Sequence, residues 1–374
     1  MNALKRKLRN FIKQIVQILG INKFLFFIKN RFASEKLSKT AEQARAELEQ
    51  FSSCPQGTSI AENTLDTIEY DLQIVIPAYN VEKYIAECID SILAQKTKYS
   101  YKVIVINDGS TDRTKEILEQ YVNHSKLQII HQENKGFSGA RNKGLDNINA
   151  KYVAFVDSDD KLAPNAIESL LDVAFHQDAD IVEGGFYRLD DKLYLGYKHK
   201  KVKQVNAAID LKGYPCGKVF KSALFKNIHF PENFWFEDSI GAFLIHPQAI
   251  KAFVIPDIVY IYRTNLASIS YTAPFKKKSI DTYWVTELLL EERQKLNIIV
   301  SNDIFENFLR QVVLNYKRTQ KMPIEIQKNI FICTKELLNK YFNKWSSKPF
   351  KHLIEAFQAA DFGKYKLFCD LFIF

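Results

Sequence analysis

The chain has few cysteines and none of them are grouped: Cys54, Cys88, Cys216, Cys333 and Cys369 form no CxxC pair and no Cys/His cluster with metal-ligand spacing. Scattered thiols in odd number exclude a disulfide framework and a thiolate zinc site, so a reducing, cytoplasmic compartment is expected. No apolar run reaches the ~18 residues of a spanning helix. There is no Walker sequence and no GxGxxG, which speaks against a nucleoside triphosphatase or a dinucleotide enzyme. Internal repeats and low-complexity segments are also missing.

The first 33 residues lack negative charge: they hold Lys5, Arg6, Lys7, Arg9, Lys13, Lys23, Lys29 and Arg31 without an Asp or Glu. The whole 374-residue chain has 52 basic and 43 acidic residues, so the chain beyond this arm is close to neutral. That distribution argues against nucleic acid as a partner, since a general nucleic-acid binder carries its excess of basic charge on the folded domain. Within the arm, Leu4, Leu8, Phe11, Ile12, Ile15, Ile18 and Leu19 recur at three- and four-residue spacings, which predicts a basic amphipathic helix. Charges inside the apolar part and the lack of a small-residue cleavage site argue against a signal peptide. Two roles stay open: a peripheral anchor on an anionic membrane surface, or a helix packed on its own domain or on a partner.

Three segments are expected: 1–70, the basic arm and a linker with a helical patch over Ala41 to Phe51; 71–275, an α/β domain; and 276–374, a helical region. In the middle segment, Val- and Ile-rich runs (QIVIPAYN, KVIVIND, LQIIHQ, YVAFVDSDD) alternate with helices over about Val81 to Gln95, about Asp112 to Asn123, and from near Ala140. This pattern predicts a mostly parallel sheet with both faces covered, whose ligands bind beyond the carboxyl ends of the strands. A later strand, IVEGGFYRL, precedes a basic stretch through Lys203. In the last segment Phe350, Phe357, Phe362, Phe368, Phe372 and Phe374 offer an apolar face to a partner or a membrane surface.

The strand ends carry the chemistry. Pro77 ends the first ladder and frees Ala78, Tyr79 and Asn80 to face a ligand. Asp108 ends the second strand, where a carboxylate can accept from a base N–H or a ribose hydroxyl; Gly109 permits close backbone approach, and Ser110 or Thr111 is expected to cap the next helix. Gly136, Ser138 and Gly139 leave backbone N–H groups facing an anion beside Arg141. Asp157, Ser158, Asp159 and Asp160 follow a buried strand, and three carboxylates there require a cation or a proton to offset their repulsion. Hard oxygen donors favour Mn2+ or Mg2+. Further on, Phe234, Trp235 and Phe236 precede Glu237 and Asp238, which pairs surfaces suited to a sugar ring with a carboxylate able to take a proton.

Together, IPAYN, VINDGSTD, QENKGFSGARNKGL and FVDSDD resemble the successive motifs of family 2 glycosyltransferases with the GT-A fold, over about residues 72 to 272. The resemblance implies a Rossmann-like central sheet flanked by helices and a hexosyl- or N-acetylhexosaminyl-transferase. It implies an inverting transfer from a nucleotide diphosphate sugar, a UDP-sugar, to a hydroxyl of a glycan acceptor, free or lipid-linked, in capsule, lipooligosaccharide or other surface polysaccharide synthesis. By the same resemblance Asp108 contacts the donor base, Asp157 and Asp159 hold the metal and diphosphate, and Asp238 is the base with Glu237 as its alternative. Pro77, Ala78, Tyr79, Asn80, Gly136, Arg141, Ser158 and Arg263 then face the donor, Tyr262, Arg263 and Ser268 to Ser270 resemble a loop over the diphosphate, and Trp235 and Phe236 lie on the acceptor side. Asn107 replaces the first Asp common among relatives. Two other functions compete: a sugar-phosphate nucleotidyltransferase, disfavoured because IPAYNVEKY stands where its glycine-rich loop would follow the first strand, and a non-catalytic scaffold of a glycan assembly complex.

Overall fold

The structure is a computed structural model describing residues 33–266 and 268–372, so the expected basic helix at the N-terminus lies outside the described residues. Two compact units are distinguished: one comprises 55–272 with 284–304, and the other contains 33–54, 273–283 and the chain beyond 305. Among the described residues, no helix is long and apolar enough to cross a membrane.

The first unit is built on one sheet. Strands β1 (Thr64–Ala78), β2 (Tyr101–Asp108), β3 (Leu127–Gln132) and β4 (Asn147–Phe155) lie in the order 3-2-1-4, all parallel. The helices between them are α1 (Ile85–Leu93), α2 (Thr114–Glu119) and α3 (Gly136–Leu145). Each of the first two is shorter than its sequence pattern suggests, because turns rather than helix occupy the flanking polar residues. β1 starts well before Gln73, since the alternating TLDTIEYDL extends the ladder back to pair Thr64 with Asn147. After β5 (Lys161–Leu162) and α4 (Ala166–His176) come β6 (Ile181–Leu189), β7 (Leu193–Tyr197), β8 (Lys203–Val205), β9 (Lys218–Lys221) and β10 (Ala252–Arg263). The short β9 runs antiparallel between β4 and β6, which makes the sheet mixed, while β6 and β10 are parallel.

Both faces of the sheet are buried, as the Val- and Ile-rich strands require. On one face Ile74, Ile76, Val103, Val105 and Val182 pack with Ile85, Cys88, Ile89 and Ile92 of α1 and with Ile167, Leu170 and Leu171 of α4. Each such side chain contributes about 1.5–3 kcal/mol on burial. The other face carries Ile104 and Ile106 under Ala140 of α3, and an aromatic group in which Phe155 meets Phe220, Phe225 and Phe230 edge-on. Because β1 has β2 on one side and β4 on the other, the sheet's strand order reverses at its carboxyl end. A crevice forms at such a reversal, and the polar strand ends gather there.

In the second unit Thr40 caps the helix Ala41–Phe51, as its sequence patch suggests, through a reciprocal bond with Gln43. Asn329 on the helix Ile324–Phe342 donates to Glu47 at 2.7 Å and accepts from Lys39 at 3.0 Å. Asp361 caps the helix Phe362–Leu371 while accepting from Ser34 and from the Glu35 backbone. Of the six phenylalanines expected to form an outward apolar face, four turn inward instead, Phe372 is half-buried, and Phe374 lies outside the described residues. Phe350, Phe357, Phe362 and Phe368 are buried, and Phe331 stacks on Phe357 at 5.0 Å, because short helices of this size gain most by burying aromatic area in one another.

Gly144 shows how tightly α3 lies on the sheet: a Cβ there would stand 2.3 Å from Val75. Gly144→Ala should therefore lower the urea midpoint, since overpacking costs about 1–3 kcal/mol against the ~1 kcal/mol that Ala gains over Gly within a helix. A raised midpoint would contradict this close approach.

Candidate functional site

The turn after β1 is locked to the turn after β2. Asn80 adopts left-handed backbone, φ 51°, and its side-chain oxygen accepts from the Thr111 N–H at 2.8 Å, while Ser110 accepts from the Asn80 N–H at 3.1 Å. Ser110 is thereby spent on the neighbouring turn. The first N–H of α2 goes to Asp112 instead, 2.9 Å from Thr114, so neither Ser110 nor Thr111 is the cap. Tyr79 projects from this double turn with half its surface exposed. Asn107 is buried and shapes the same turn, accepting from the Ser110 N–H at 3.2 Å and meeting His131 at 3.0 Å.

Asp108 is almost wholly buried at the end of β2. One oxygen accepts from Gln132 at 2.7 Å and from the Lys135 N–H at 2.8 Å; the other, Oδ2, is buried without a partner among the described residues. A buried carboxylate oxygen left open costs desolvation that a ligand N–H or O–H would recover. Gly109, at φ 72°, lets the chain pass close beneath: a Cβ would sit 2.9 Å from the Asn134 nitrogen. Gln132 carries no signal of its own in the sequence, although parallel register places it directly beside Asp108.

The third loop differs from its expected form. α3 begins at Gly136 itself, not near Ala140, so Ser138 and Gly139 belong to its first turn. Gly136, at φ 73°, supplies the left-handed residue from which the helix starts. Arg141 then enters the interior. Its Nη1 donates to Glu237 and its Nη2 donates to Asp157 at 2.9 Å, with Phe230 under the guanidinium at 5.3 Å. Burial opposes the charge on Arg141, but Asp157 and Glu237 outweigh it and hold the guanidinium firmly protonated. Glu237 is pushed up to about 7, by burial first; Arg141 pulls it down and Asp238 pushes it up.

The neighbouring Asn142 clamps the segment that carries Glu237. It accepts from the Phe230 N–H at 2.8 Å and donates to the Phe230 carbonyl at 2.9 Å and to Glu232 at 3.1 Å. From there the chain passes Trp235 and Phe236, whose rings meet edge-on at 6.3 Å, into the turn Glu237–Ser239. Phe236 has φ 65°, a conformation that bulky residues avoid, so the aim of this turn is held by its surroundings. Asp238 comes next, half-buried.

At the end of β4 the four residues Asp157 to Asp160 form a tight turn, closed by the Asp160 N–H on the Asp157 carbonyl at 2.9 Å. Ser158 is buried within it. Burial, and then the charges of Asp157 and Asp159, drive the Asp160 carboxyl well above its ordinary value, against bonds from Tyr260 at 2.8 Å and the Arg263 N–H at 2.7 Å. Asp159 is raised as well, by burial and then by Asp157, while Asn265 donates to it at 3.1 Å. Arg263 reaches this turn through the Asp159 carbonyl at 2.8 Å and pairs with Glu87 above the Tyr84 ring. Tyr260 also accepts from the Asp157 N–H at 3.1 Å. Neither Tyr260 nor Asn265 is marked by the sequence, because both arrive about 100 residues later, Tyr260 on β10 and Asn265 just beyond its end.

Three carboxylates crowd this turn, and Asp159 and Asp160 are raised by burial first and by repulsion from their neighbours second. Hard oxygen donors gathered at one turn are what a divalent cation takes, so the carboxylates of Asp157 and Asp159 fit an Mn2+ or Mg2+ ion by their chemistry.

Residues 73–236 match the family model described as Glycosyl transferase family 2. Glycosyltransferase GlyG of Streptococcus pneumoniae is 29% identical over 274 residues, which are 68% of this chain and 89% of GlyG. An uncharacterized glycosyltransferase of Bacillus subtilis, EpsJ, is 33% identical over 55% of this chain, and the chain spans a little under two thirds, 64%, of EpsJ. Among solved structures, S. aureus TarS 1–349 in complex with UDP-GlcNAc superposes with a TM-score of 0.66 at 22% identity, over 79% of this chain and 89% of that one. The likeness identifies the fold as GT-A.

Glu237 generates a pH prediction. Its ordinary value of 4.5 rises to about 7 on folding, so folding favours its protonated form: that contribution is complete below about pH 4.5 and is lost as pH rises through 7. Glu237→Gln, neutral throughout, should gain stability relative to the wild type between these limits in urea titrations. A difference that stays flat with pH would contradict the assignment.

Proposed function

We propose that this chain works as a family 2 glycosyltransferase, moving a sugar from a UDP-sugar to a hydroxyl of a surface-glycan acceptor with inversion at the anomeric carbon. One observation carries the reading. Through Arg141, the acidic turn after β4 and the segment bearing Glu237 and Asp238 are fastened to a single side chain, so a donor's diphosphate and an acceptor's hydroxyl would meet side by side. The uridine would lie along Pro77, Ala78, Tyr79 and Asn80, with the open oxygen of Asp108 accepting from the base. The UDP-GlcNAc held by TarS, which has the same fold, supports that choice of donor class.

In this reading Asp238 accepts the proton of the acceptor hydroxyl as its oxygen attacks the anomeric carbon from the side opposite the diphosphate. The new glycosidic bond forms while the bond to the diphosphate oxygen breaks, and that oxygen keeps the electron pair. Glu237 would have to give up its bond to the buried Arg141 guanidinium to reach the acceptor, which favours it as the positioning partner of Asp238 over the role of base. Asp157 and Asp159 would hold the Mn2+ or Mg2+ ion, and such an ion when bound would offset the negative charge of the leaving diphosphate. Arg263, fixed to the backbone of the same turn, would add positive charge beside Asn265 and the Ser268–Ser270 stretch. Trp235 and Phe236 would offer ring faces to the acceptor sugar.

The charge of the basic arm supports work at the cytoplasmic face of a membrane, with residues 1–33 against an anionic leaflet and a lipid-linked acceptor within reach.

Separate variants test the two roles. Asp238→Asn should lower kcat by about a hundredfold or more while calorimetry finds UDP affinity within about twofold of the wild type. Asp159→Ala should cost about a hundredfold or more in turnover and abolish the dependence of UDP binding on Mn2+. If Asp238→Asn lost nucleotide binding, or Asp159→Ala kept full turnover, the corresponding role would be wrong.

A further inference from the structure

The strand pair β6 and β7 forms a hairpin that leaves apolar side chains in water on one face. Its register sets Leu189 opposite Leu193 and Tyr187 opposite Leu195, so these four side chains share that face. Leu193 and Leu195 are 51% and 50% exposed, and Val202, just beyond, is 49% exposed. Apolar residues half in water on an edge strand are a liability unless something covers them. The hairpin turn holds Asp190 and Asp191, and after it come Lys192, Lys198, Lys200, Lys201 and Lys203, all exposed, so residues 190–203 carry five lysines against two aspartates.

We propose that this hairpin and the lysines after it dock on an anionic phospholipid surface, with Leu193, Leu195 and Val202 entering the headgroup region and the lysines meeting lipid phosphates. Lysine clusters guard edge strands against pairing with another chain, yet that purpose would not place leucines beside them. A second copy of this chain would bring five lysines against five more. A soluble polyanion would satisfy the lysines and leave the leucines in water, whereas a bilayer interface satisfies both. The hairpin extends from the carboxyl end of β6, where Leu189 lies beside Arg263 of β10, so docking would bring the membrane to the edge of the sheet that carries the acidic turn. This contact is separate from the N-terminal arm and does not depend on the sugar or the acceptor.

The test is co-sedimentation of the full chain with vesicles of phosphatidylcholine alone and of phosphatidylcholine with phosphatidylglycerol. The wild type should partition onto the mixed vesicles. Leu193→Ser with Leu195→Ser, and separately Lys198→Glu with Lys200→Glu and Lys201→Glu, should each reduce that partition about tenfold or more, with the thermal midpoint and UDP binding unchanged. If either variant partitions like the wild type, the membrane contact lies elsewhere and the proposal fails. It fails equally if the wild type ignores anionic vesicles but binds soluble poly(glycerol phosphate), or if the leucine variant changes the sedimentation-equilibrium mass instead of vesicle binding. Should the leucine variant not fold, the lysine variant decides alone.

Discussion

The site depends on one buried cation. Arg141 is taken out of water by its helix and compensated by two carboxylates from different parts of the chain, Asp157 at the end of β4 and Glu237 in a turn some eighty residues later. Either carboxylate alone can still face the guanidinium, but losing one removes a hydrogen bond to a buried charge and unfastens its segment from Arg141. The position of the Glu237–Asp238 turn is therefore set by electrostatics as much as by packing. Asn142, the next residue, reinforces it with bonds to both sides of Phe230. Two adjacent residues of one helix thus hold the carboxylate segment against the strand ends.

Charge at the tip of β4 is balanced differently. Tyr260 and the Arg263 N–H satisfy both oxygens of Asp160, which burial and two neighbouring carboxylates favour in its neutral form. Asp160 is then a structural post within the turn, and the proposed metal ligands are Asp157 and Asp159. The strand-end motif already sets Asp157 and Asp159 apart from Asp160 in the sequence; what the sequence does not mark is how Asp160 is held, by Tyr260 and Arg263 of β10, which runs parallel to β6, with Asn265 just beyond the strand bonded to Asp159.

Much of the sheet is legible in the sequence because each strand is a Val- and Ile-rich run ending in a polar turn, and the order of those turns is visible in the chain. Strand-end residues such as Asp108 and Asp159 can be read for the same reason. The features that escape such reading depend on long-range register. The antiparallel β9 is four residues long and has no periodicity to betray it, and Tyr260 carries no local motif. The start of α3 differs from expectation because glycines that usually mark loops here begin a helix, Gly136 by its left-handed backbone. The C-terminal phenylalanines look like a surface in the sequence because helical spacing shows a face but not what covers it; buried stacking such as Phe331 on Phe357 covers it from within.

The proposal that the β4 turn grips a cation between the phosphates of a nucleotide sugar is tested most directly by crystals grown with UDP and Mn2+. The account predicts an anomalous peak beside Asp157 and Asp159, with the uracil against Asp108 and the diphosphate reaching toward Arg263. A manganese peak elsewhere, or UDP bound away from this turn, would contradict it.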